Sequence, residues 1–154
     1  MKARVLELAA GGMLIVAWLL AARAIATLPP LIPTHFGLDG RPDAHGSSAT
    51  LWLLPAIMTA VYLLVSVNQF IPPRRLNLPV RITDRNRDGV MVLTRELLLA
   101  VKVCAMLTVL AVEWACIDAS TRGALGPLFS VAIYAPVALL IGVIVYYTMR
   151  MRAV

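Results

Sequence analysis

The chain has 154 residues, 60% of them hydrophobic and only 14% charged, with a mean hydropathy of +0.84. Soluble domains carry nearer a quarter charged residues, so this composition excludes a water-exposed globular enzyme. A net charge of +6 would suit a nucleic-acid binder, but most of the basic residues flank apolar blocks, where they set membrane orientation instead, and no nucleic-acid partner is expected.

The apolar residues form four blocks, at 6–28, 50–71, 95–117 and 128–149. Each makes about 33 Å of helix, enough to cross a hydrocarbon layer of roughly 30 Å. Lipid cannot satisfy the backbone of open strands, and no block shows the alternation of a barrel strand. The expected fold class is all-α integral membrane: one domain of four transmembrane helices.

The first block follows a basic start, and Ala24-Ile25-Ala26 resembles a signal-peptidase site. The apolar stretch is too long for a signal peptide, so it reads as an uncleaved anchor. Ala10, Ala17, Ala21 and Ala24 form a seam of small residues suited to close helix packing. Arg23 lies just inside the end of this span, at a depth matching Glu113 on the third, which makes the two candidate partners within the membrane. The alternative is that Arg23 snorkels to the headgroups.

Between the first two spans the chain reads Pro29-Pro30-Leu31-Ile32-Pro33-Thr34-His35-Phe36-Gly37-Leu38-Asp39-Gly40-Arg41-Pro42-Asp43-Ala44-His45-Gly46-Ser47. Prolines forbid continued helix, and Asp-Gly and Gly steps suit tight turns, so an ordered loop is expected. Ser47 or Ser48 is placed to cap the second span, with Asp43 near the positive helix end. His35, Asp39, Asp43 and His45 supply enough nitrogen and oxygen for a tetrahedral zinc ion, at a spacing that matches no standard motif. Otherwise the aspartates make turns or caps and the histidines bond the backbone, or the loop serves a partner-binding or proton-linked role.

The connection to the third span carries Arg74, Arg75, Arg81, Arg85 and Arg87, suited to anionic lipid headgroups. Asp84, Asn86, Asp88 and Gly89 reproduce the opening of a calcium-binding loop, but Arg95 stands where the closing bidentate glutamate belongs. The alternative is that Thr83 or Asp84 caps a helix running into the third span. That span carries Lys102 and Glu113 eleven residues apart, nearly on one face but about 16 Å apart. They cannot pair directly, and the face is expected to point inward. Lys102 could reach Glu7, the Asn68-Gln69 step, or the inner headgroups. Cys104 and Cys116 sit about 18 Å apart on the same helix and cannot form a disulfide. Pro136 should kink the fourth span.

Outside the spans, Lys2, Arg4, the five loop arginines, Arg150 and Arg152 lie on one side, with Arg95 at the edge of the third span, whereas only Arg41 and Arg122 lie on the other. The positive-inside rule then places both termini in the cytoplasm and the histidine-bearing loop outside.

The run Ile32-Pro33-Thr34-His35-Phe36, with Gly40, Pro42-Asp43, Gly46 and Ser47 leading into Leu51 to Pro55, resembles the signature of a bacterial membrane domain family of unknown function. That family is shared with the SdpI immunity protein. Ile82-Thr83, Asn86-Arg87, Thr94-Arg95, Leu97-Leu98, Lys102, Leu125-Gly126 and Phe129 resemble its small stand-alone members, so the resemblance spans residues 28–130. It implies that His35, Gly40, Asp43 and Gly46 carry the domain's role, in a bacterial inner membrane. Ser48 stands here where the family pattern often has lysine, and His45 where it has a bulky residue.

No nucleophile with an adjacent base and no phosphate loop is present. Three functions follow as expectations. The first is a non-catalytic, immunity-like or signalling module that uses the outer loop, with Arg23 and Glu113 beneath it, to engage a secreted peptide, a lipid or a membrane protein. The second is an outer-face metal-dependent enzyme, and the third an accessory subunit of a larger membrane complex.

Overall fold

The structure, a computed structural model, describes residues 2–37, 41–68, 71, 78–126 and 128–154. Helix α1 spans Lys2–Thr27, strands β1 and β2 span Leu31–Phe36 and Pro42–Ser47, and a 3₁₀ turn at Ser48–Trp52 leads into α2, Leu53–Asn68. Helix α3, Arg87–Arg122, and helix α4, Phe129–Arg152, complete the chain. With the 3₁₀ turn counted into α2, all four helices are long and apolar enough to cross a membrane. This is the architecture of a multi-pass membrane protein.

The all-α expectation needs correction between α1 and α2, where the chain forms an antiparallel β-hairpin. Pro29 and Pro30 end α1, because proline clashes with a continuing helix and biases the residue before it toward extended backbone. The extended chain then turns back, with the Gly37 N–H donating to the Arg41 carbonyl at 2.9 Å. Two prolines hide the strands in the sequence, yet each sits where a missing N–H is tolerated. Pro42 opens β2, Pro33 adjoins a register shift, and the sheet has only two strands, so both are edges. Ser47 caps the 3₁₀ turn as expected, its Oγ accepting from the Ala49 N–H at 3.2 Å. Asp43 does not face that turn; it pairs within the hairpin.

Helix α3 is the centre of the molecule. At 36 residues it is about 54 Å long, well beyond a hydrocarbon layer, so it overruns the expected span at both ends. It begins after Asn86, whose side chain accepts from the Thr83 N–H at 2.8 Å. Asp88 and Gly89 are already helical, and a calcium loop cannot form there. At the far end Gly123 takes φ 74°, and its N–H closes the last turn on the Ala119 carbonyl; the left-handed backbone suits glycine.

Two buried stripes run along α3. Lys102, Met106 and Glu113 face α1 and α2, while Val90, Leu93, Cys104, Ala115 and Ala119 lie on roughly the opposite side. That second side receives α4, which packs almost wholly against α3 and continues through Pro136. A helix buried on two faces needs apolar residues all round, so α3 shows no single apolar stripe. On α1 the four seam alanines, Ala10, Ala17, Ala21 and Ala24, are all buried. Ala10 and Ala17 join Met58 of α2 and Met106 of α3 in one core cluster; Ala24 joins Ile32 of β1 and Leu51 in a second, nearer the hairpin. The contacts of Glu7 with Lys102 and of Ala24 with Cys116 and Ile117 make α1 parallel to α3, with α2 and α4 antiparallel to them.

Candidate functional site

Three polar constellations stand on this frame. The first is on the hairpin. Pairing runs Ile32 to Gly46, Pro33 to His45, His35 to Ala44 and Phe36 to Pro42. Thr34 on β1 and Asp43 on β2 are therefore each skipped, forming two bulges that offset one another in register. A bulge re-aims side chains, and here Asp43 Oδ1 reaches His35 Nδ1 at 2.5 Å. The side chains are 70% and 51% exposed, so the pair faces solvent and its attraction is screened. His45 is also exposed. Gly46 has a steric role: a Cβ there would come within 2.9 Å of Thr34 Cγ2. Ile32, 2% exposed, pins the hairpin to the helices below.

Of the four expected metal ligands, His35 and Asp43 meet, and no group of three or more His, Cys, Asp or Glu side chains forms among the described residues. Asp39 and Gly40 lie outside those residues.

The second constellation is Glu113, fully buried, with neither carboxylate oxygen accepting a hydrogen bond among the described residues. The expected pairing with Arg23 is not made. At 100° per residue Arg23 points roughly 130° away from the alanine seam that faces α2 and α3, and its side chain is exposed. Nor do hairpin and Glu113 share a polar cavity, since the apolar layer of Ala24, Ile32 and Leu51, with Cys116 and Ile117, separates them.

The third lies toward the other end. Lys102 is 0% exposed and its ammonium donates to Glu7 Oε1 at 2.8 Å, Glu7 Oε2 at 2.9 Å and Ser66 Oγ at 2.8 Å. All three of its N–H groups are thus used. The Tyr62 hydroxyl donates to Glu7 Oε1 at 2.8 Å, and the ammonium lies 4.4 Å from the centre of the Tyr62 ring. Sequence reasoning names Glu7 as a possible partner of Lys102 but misses Tyr62 and Ser66. The signal available was their spacing of four on α2, which puts both polar groups on one face. The arginines Arg4, Arg81, Arg85, Arg87, Arg95, Arg150 and Arg152 are exposed at this end of the molecule; Arg74 and Arg75 lie outside the described residues.

Residues 12–59 match a family model described as a domain of unknown function, DUF1648. The match runs from α1 through the hairpin into α2 and so contains His35, Asp43 and Gly46. An uncharacterized protein of Archaeoglobus fulgidus is 29% identical over 127 residues, covering 73% of this chain and 68% of its own length. No solved structure matches the chain.

Proposed function

We propose that the protein is a non-catalytic membrane binding module in which the hairpin between α1 and α2 engages an extended peptide segment outside the cytoplasm. The carrying observation is the exposed His35–Asp43 pair on a doubly bulged hairpin that Ile32 anchors to the helices. Asp43 occupies Nδ1 and leaves Nε2 of the imidazole for a partner. A two-stranded sheet also offers unpaired backbone at its edges, the chemistry by which an extended peptide adds to a sheet. This favours a peptide over a lipid or a folded membrane protein.

In this reading both termini face the cytoplasm of a bacterial inner membrane. The support is charge: the seven described arginines near the termini and the α2–α3 connection face Arg41 and Arg122 at the hairpin end. The same arginines suit anionic headgroups. The resemblance to the SdpI family makes an immunity-like or signalling role the natural context.

The experiment is photo-crosslinking from position 44, which neighbours the pair, in cells expressing the full chain, with His35→Ala and Asp43→Ala as comparisons. Crosslinks to a peptide or secreted protein that both substitutions abolish, at unchanged membrane levels, support the module. Stoichiometric zinc in purified protein, lost in His35→Ala, would replace it with the metal-dependent enzyme. Crosslinks to a stable membrane complex that survive both substitutions would replace it with the accessory subunit.

A further inference from the structure

Lys102 and Glu113 share one buried stripe of α3, and the fold treats them oppositely. Lys102 has every donor satisfied; among the described residues, Glu113 has neither acceptor satisfied. An ionised carboxylate taken out of water without a partner carries a large desolvation penalty, which proteins relieve by pairing it, binding a cation or keeping it neutral.

Among the described residues, pairing is closed off on α1, α2 and α3. From α1, Arg23 is turned outward, Glu7 is held by Lys102 and Tyr62, and Lys2 and Arg4 lie beyond Glu7 at the opposite end of the helix. From α2 the titratable group is Tyr62, donating to Glu7. On α3 itself stand Cys116 one turn toward the hairpin and Lys102 three turns away; Asp118 and Arg122 pair with each other on the α4 side. His35 and Asp43 lie beyond the apolar layer, bound to one another. A metal cation is poorly served too. A hard cation takes about six oxygen ligands, whereas Glu113 lies between the cluster of Ala10, Ala17, Met58 and Met106 and that of Ala24, Ile32 and Leu51. The ligand that neutralises a lone carboxylate without needing other oxygens is a proton.

We infer that Glu113 is an exchangeable proton-binding site, which holds its proton while α1, α2 and α3 are packed as described and surrenders it to water when the Ala24–Ile32–Leu51 layer opens. The step is a plain acid ionisation: the O–H bond of the Glu113 carboxyl breaks, its electron pair stays on the carboxylate, and the proton passes to water. Within that layer Ile32 alone belongs to the hairpin, so trimming it loosens the layer without changing a helix.

The test uses the full chain in phosphatidylcholine–phosphatidylglycerol vesicles, with two readouts: infrared spectra across a pH series, and labelling by dicyclohexylcarbodiimide, which attacks protonated carboxyls in apolar surroundings, read by intact mass and peptide mapping. At neutral pH the expected result is a protonated-carboxyl carbonyl band lost in Glu113→Gln, with labelling at Glu113 above that at Glu7 or Glu96. Raising the pH should remove band and label together, about tenfold per pH unit past the midpoint. Glu113→Asp should shift the band without deleting it, which assigns the band even if Glu113→Gln inserts poorly. Ile32→Ala should speed labelling. A band that persists into strongly alkaline solution would make Glu113 a fixed neutral packing group and overturn the inference. Absence of the band at neutral pH would do the same, and an unchanged labelling rate in Ile32→Ala would remove the hairpin layer as the gate.

Discussion

Lys102 and Glu7 are 95 residues apart in the chain and joined by two hydrogen bonds from one ammonium to both oxygens of one carboxylate. The pair ties the start of α1 to the middle of α3 and, through Tyr62 and Ser66, draws α2 to the same point. Three helices thus share one polar knot on the side of the core cluster away from the hairpin.

Breaking the knot should be asymmetric. Lys102 is 0% exposed and Glu7 38%, so Lys102 without Glu7 loses more than Glu7 without Lys102, which keeps the Tyr62 donor and can still reach the surface. Glu7→Leu should therefore cost more than Lys102→Met, with one-sided loss of a buried pair worth about 3–5 kcal/mol. The double variant should be more stable than the two single losses added together. Unfolding by sodium dodecyl sulfate in mixed micelles measures all three.

Gly46 and Thr34 form a steric pair. Gly46→Ala places a methyl within 2.9 Å of Thr34 Cγ2, and overpacking of this kind costs about 1–3 kcal/mol. Hydrogen exchange at residues 31–47 should accelerate in Gly46→Ala, and Thr34→Gly in the same chain should restore it. Lack of rescue would show that the clash is elsewhere.

The His35–Asp43 pair should contribute little to stability, since exposed ion pairs contribute about 0–1 kcal/mol. Asp43→Asn is expected to leave unfolding in micelles unchanged while weakening crosslinking from position 44. A large loss of stability would mark the pair as structural.

Neighbours on α1 should respond in opposite ways. Ala21 is 0% exposed, and Ala21→Leu should force the helices apart at about 1–3 kcal/mol. Arg23 is exposed, and Arg23→Gln should stay within about 0.5 kcal/mol. A large effect of Arg23→Gln on the same unfolding curve would revive its pairing with Glu113.

Topology is tested by cysteine labelling. With Cys104 and Cys116 replaced, a cysteine at position 45 should react with an impermeant maleimide in intact cells, and one at position 85 only after lysis. The reverse pattern would invert the proposed orientation.

The amino-acid order alone determined the four membrane-length helices, because crossing hydrocarbon demands only length and apolarity, which are local properties. It also determined the alanine seam, since a helix repeats its faces at a known angle and Ala10, Ala17, Ala21 and Ala24 fall on one of them. The inward polar face of α3 followed from the same periodicity. Partner choice did not follow. Depth placed Arg23 level with Glu113, but rotation of α1 about its axis turns Arg23 away, and that rotation is set by the seam's packing on α2 and α3. Tyr62 and Ser66 join Lys102 only because α2 runs antiparallel at one offset. The hairpin was hidden for another reason: its strands are interrupted by Pro33, Pro42 and Gly46 and broken by two bulges, so their order comes from Ile32 docking on Ala24 and Leu51. Local pattern sets which segments become helices, whereas the meeting of side chains across helices depends on rotation and offset, and only the packed tertiary structure decides those.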